Sequence, residues 1–73
     1  MLGKRFTGAV CVDGTFFTHP DVLLGTADNK RNVVLKNLRK NLSETMTNDW
    51  LAKHDVELHI VDRATRKVEH VKF

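Results

Sequence analysis

An α+β fold, built as a small antiparallel sheet of two hairpins with two central helices packed on one face, follows from three features of this 73-residue sequence. β-branched and aromatic runs lie at both ends, turn residues divide each run, and the apolar residues between them recur at helical spacing. No internal repeat or linker-like stretch divides the chain, so residues 1–73 read as a single domain.

The first hairpin pairs Arg5 to Val12 with Thr15 to His19, because Asp13-Gly14 supplies the positive φ that a two-residue turn requires. Pro20 has no amide hydrogen and closes the second strand; Asp21 to Ala27, without a period and containing Gly25, reads as a connecting loop. Asp28 is a suitable N-cap, and Val33, Val34, Leu35, Leu38 and Leu42 recur at spacings of three and four, giving a helix to about Leu42. Ser43 to Met46 fits either a bend or an extension of that helix.

Thr47 caps a second, shorter helix, with Asp49 in its positive first turn and Met46 and Leu51 at the two positions of a hydrophobic staple. Trp50 and Leu51 anchor it. The closing hairpin joins Val56 to Asp62 and Lys67 to Phe73 through Arg63-Ala64-Thr65-Arg66. Pairing Asp62 with Lys67 sets Leu58 against Val71 and Ile60 against Glu69 on one face. The other face then carries Glu57 against Lys72, His59 against His70 and Val61 against Val68, a solvent-facing pattern with one apolar pair. Leu38, Trp50, Leu58 and Val71 are expected to pack together between helices and hairpin.

Composition restricts function. A chain this short buries about 60% of its unfolded surface, which leaves little support for the concavity that catalysis needs, so no catalytic residue is assigned and an enzyme is not expected. The single cysteine, Cys11, cannot make an internal disulfide, and the apolar stretch Ala9 to Val12 is far too short for a signal core or a span. A cytoplasmic protein without membrane contact is expected. The histidines stand at no short ligand spacing, so neither metal nor cofactor is assigned; Cys11 reads as a small strand residue. Facing each other, His59 and His70 would repel if both were protonated, which marks them as a possible pH-sensitive pair.

The net charge of +3 favours an acidic partner, and its distribution is informative. Lys30, Arg31, Lys36, Arg39 and Lys40 occur between Asp28 and Leu42 with no acidic residue among them. Lys36, Arg39 and Lys40 share a face opposite the Val34, Leu38 and Leu42 stripe, so burying the stripe presents the cations outward. A solvated helix face usually mixes signs; this one does not. On the first hairpin, Val10 and Phe17 share one face and Cys11 and Phe16 the other, so one of the two adjacent rings is exposed unless both faces are covered. With Lys4 and Arg5 nearby, that ring gives the aromatic and cationic mixture of protein interfaces. The candidate partner-binding residues are therefore Lys4, Arg5, Phe6, Phe16, Phe17, Lys36, Arg39 and Lys40.

In its length, its Lys4-Arg5-Phe6 segment, its Asp13-Gly14 hairpin, its basic middle helix and its closing Val56 to Phe73 hairpin, the chain resembles the small RNA-polymerase-binding transcription regulators of lytic Xanthomonas phages. The resemblance implies a non-catalytic protein of the bacterial host cytoplasm. It would bind the host polymerase, inhibit initiation by disturbing sigma-factor engagement, and permit readthrough at terminators. The residues themselves leave a second class open, a nucleic-acid-binding module in which Lys36, Arg39 and Lys40 contact phosphates and Phe16 stacks on a base.

Overall fold

Pairing between the first and last thirds of the chain turns two separate hairpins into one sheet. The computed structural model describes residues 3–73. Its elements are β1 (Phe6–Val12), β2 (Thr15–Phe16), α1 (Pro20–Leu23), β3 (Ala27–Asp28), α2 (Arg31–Thr45), α3 (Asn48–Lys53), β4 (Val56–Asp62) and β5 (Lys67–Lys72). The strands lie in the order β2-β1-β4-β5, with β3 paired to the start of β1, and every pairing is antiparallel. The expected α+β architecture is the one observed.

Alternation along the strands divides the sheet into two faces. Val10, Val56, Leu58 and Ile60 form the inner face and meet Val34, Leu38 and Leu42 of α2, all buried; Val22 of α1 completes this core. Gly8 makes the close approach possible. A Cβ there would lie 2.8 Å from Leu38 Cδ1 and 3.0 Å from Val34 Cγ1. Leu38 and Leu58 are fully buried, whereas Trp50 and Val71 pack at the cluster's edge.

The turns follow their residue chemistry. Asp13 and Gly14 have φ of 51° and 85°, the pair of positive values that a two-residue hairpin of this hand needs. Thr47 Oγ1 accepts from Trp50 N at 3.1 Å and caps α3, as expected of it. In the closing hairpin, all six registered pairs from Glu57–Lys72 to Asp62–Lys67 match the expected register.

Three boundaries differ from expectation. β2 ends at Phe16 rather than His19, because Pro20 opens a helix instead of closing a strand: it stands at the first turn of α1, and His19 Nδ1 accepts from Asp21 N at 3.2 Å. The segment Asp21 to Ala27 is consequently not a plain loop. It contains most of α1 and the start of β3, and α2 clamps it through side-chain amides: Asn41 Nδ2 donates to Val22 O (2.9 Å) and Leu24 O (2.7 Å), and Asn37 Nδ2 to Gly25 O (2.8 Å). Asp28 does not cap α2 directly, being held in β3 opposite Phe6. Its Oδ1 accepts from Lys30 N at 2.9 Å, and the helix begins at Arg31 and continues through Thr45.

Candidate binding surface

Among the described residues the helices pack on the inner face of the sheet and none lies over the outer face. Its side chains form three rows across β1, β4 and β5: Cys11, Glu57 and Lys72; Ala9, His59 and His70; Thr7, Val61 and Val68. Phe16, opposite Cys11 on β2, stands on the same face. The Phe16 ring leans onto His59, edge to face at 5.5 Å. Even so Phe16 is 63% exposed and Val68 49%, the two most exposed large apolar groups of this face.

Beneath Phe16 lies a polar cluster drawn from two strands. His59 Nε2 is 2.9 Å and His70 Nδ1 3.3 Å from the same Glu57 oxygen, Oε1, and the imidazoles stack in parallel at 4.1 Å. His59 is buried to 9% exposure, His70 is exposed. On the other side of Glu57, Lys72 Nζ is 2.8 Å from Asp55 Oδ1 and 3.9 Å from Glu57 Oε2; the Asp55 contact chiefly raises its pKa. These are the residues that ligand spacing along the chain misses. The hairpin register, which already set His59 opposite His70 and Glu57 two residues away, holds the signal that finds them.

The first-hairpin candidates separate by environment. Phe16 is exposed, whereas Phe17 is half-buried between Trp50 (5.5 Å between centroids) and His19 (5.9 Å) and belongs to the core margin. Phe6 also packs against the core. Arg5, whose guanidinium lies 5.0 Å from the centre of that ring, makes a bidentate pair with Asp62, both bonds 3.0 Å. Lys4 is exposed. Arg5 is thus engaged within the fold, and what it steadies is the junction of β1 and β4.

A second surface lies on the opposite side of the molecule. Lys36, Arg39 and Lys40 are exposed on α2, whose Val34, Leu38 and Leu42 contact the sheet. Lys36 and Lys40 have no carboxylate within ion-pair distance among the described residues. Arg39 Nη2 donates to Lys72 O at 3.2 Å and is partly tied to β5. Arg31, at the start of the basic run, is bound by Glu69 through two 2.5 Å bonds that lower the carboxylate's pKa. The exposed cationic patch therefore centres on Lys36 and Lys40.

A groove of about 520 Å³ opens between α2 and the β4–β5 end, floored by Phe6 and Ile60. Its rim holds Arg31, Glu69 and Asp62, each already in an ion pair. No helix is long and apolar enough to cross a membrane among the described residues. Comparison with protein-family models, with curated proteins and with solved structures found no match.

Proposed function

We propose that the protein is a non-catalytic binding module that engages bacterial RNA polymerase, inhibits initiation at host promoters and permits terminator readthrough. The observation that carries the binding role is Phe16, an aromatic ring 63% exposed on an uncovered sheet face. It is fixed by a two-residue turn and by its contact with His59. Exposed rings on rigid supports are the usual anchors of protein interfaces, because burying them costs little side-chain entropy and removes much apolar area from water. Val68 lies on the same face, beyond the His59–His70 row, so a partner would meet an aromatic anchor beside a polar cluster, the mixture common at protein interfaces. The choice of polymerase as partner rests on the whole-chain resemblance.

The expected outcome is capture of purified bacterial polymerase holoenzyme by the immobilised chain, unchanged after nuclease, with reduced promoter-directed transcription in its presence. A polymerase that neither binds nor slows contradicts the proposal. The exposed Lys36 and Lys40 support a second reading, phosphate binding by α2. Under that reading the chain alone binds duplex DNA, and the logarithm of affinity falls with that of salt concentration by about 0.9 for each neutralised phosphate.

A further inference from the structure

We propose that Glu57, His59 and His70 form a binding site for a divalent transition-metal ion of the zinc type, one that fastens edge strand β5 to β4. The ligand atoms of these three residues all lie within 4.8 Å of one another. At metal–ligand bonds of about 2.0 to 2.2 Å, neighbouring donors of a tetrahedral site stand about 3.3 Å apart. The Glu57 Oε1 distance to His70 Nδ1 (3.3 Å) matches that value and the one to His59 Nε2 (2.9 Å) falls a few tenths of an ångström short of it. Two imidazoles and one carboxylate are the donor set of open zinc sites, with solvent in the fourth position.

The backbone fixes this set well. Glu57 and His59 are alternate residues of β4, paired on one side to β1 and on the other to β5, so their spacing is set by the strand repeat. His70 is held opposite His59 by the ladder. Strand-borne ligands of this kind are placed more accurately than loop ligands. The site is also shielded on one side, because Phe16 covers the His59 ring and lowers the access of water to it.

One adjustment is required. The two rings are parallel, 1° between planes, and an ion cannot lie in both planes at bonding distance. His70 is the ring that can tilt, since its side chain is 56% exposed on an edge strand, while His59 at 11% stays in place. The Nε2 of His59 and Nδ1 of His70 would then present lone pairs to the ion instead of sharing the carboxylate oxygen, each ring carrying its proton on the opposite nitrogen. Lys72, 3.9 Å from Glu57 Oε2, is bonded more closely to Asp55 and can leave Glu57 to the metal.

The test is calorimetric titration of the full chain with zinc chloride, read beside the imidazole ¹⁵N resonances. One ion binds per chain, and the resonances of His59 and His70 move while those of His19 and His54 do not. His70→Ala, a change at an exposed position that leaves the core intact, weakens binding more than about tenfold, since even outer-sphere partners of a metal contribute 10- to 100-fold. Glu57→Gln does the same, and His19→Ala has no effect. Absence of binding at millimolar zinc overturns the proposal, as does a His70→Ala chain that binds like the parent or a titration that moves His19 or His54 instead.

Discussion

Asp62 carries more polar contacts than its place at the end of a strand suggests. Its carboxylate receives two bonds from Arg5 and further ones from the amides of Ala64 and Thr65, while its backbone pairs with Lys67. The Arg5 bonds foremost hold its pKa far below the ordinary carboxylate value. A group whose folded-state pKa is depressed adds stability above the unfolded value of about 3.9 and loses that contribution as acid protonates it. Stability is thus expected to fall as pH drops below about 4, and Asp62→Asn should melt earlier than the parent at pH 7 yet lose less on acidification. Thermal melts of both chains between pH 2 and 7 check this, and parallel curves would show that Asp62 does not drive the acid response. Gly8 offers a second single-residue check. Gly8→Ala places a methyl against Leu38 and Val34 and should cost about 1 to 3 kcal/mol by overpacking, measured by urea unfolding.

Among the elements, α2 and β4 each supply three of the buried core residues. Leu38 is fully buried against the sheet, so Leu38→Ala should destabilise by about 2 to 5 kcal/mol, a large share of what a small domain has. A melting temperature equal to the parent's would mean that this stripe does not carry the packing. The strength of its period is also why α2 was readable from sequence, as was β4–β5, where alternation and a short connection leave one register that buries the apolar residues. The segment Pro20 to Asp28 was not legible. Its short helix and two-residue strand exist because Asn37 and Asn41 of α2 bond its carbonyls and Val22 fills the core, tertiary causes that local preference does not contain. The exposed ring of the first hairpin could be narrowed to Phe16 or Phe17 from alternation alone. Choosing Phe16 required knowing that Trp50 and the helices cover one face only. Arg5 looked free in sequence because its partner Asp62 is 57 residues away.

The whole molecule, 38 × 20 × 18 Å, presents two unlike surfaces on opposite sides: a sheet face where Phe16 stands beside the polar Glu57, His59 and His70 cluster, and a cationic helix face around Lys36 and Lys40. A flat partner can bury only one of them, so a single partner using both must offer a cleft. Reversing the charges with Lys36→Glu and Lys40→Glu should mainly slow association at low salt, because exposed charges steer encounter, and should hardly alter stability, exposed pairs being worth about 0 to 1 kcal/mol. Equal association rates would remove the helix from the interface. The most direct measurement compares the affinities of the parent chain and Phe16→Ala for purified bacterial RNA polymerase after nuclease treatment, with circular dichroism confirming that both chains are folded. The expected result is tight binding by the parent and a loss of more than about 1 kcal/mol, roughly fivefold, in the variant, mostly through faster dissociation. A variant that binds as well as the parent, or a parent that does not bind polymerase at all, would contradict the assignment of the open sheet face as the polymerase-binding surface.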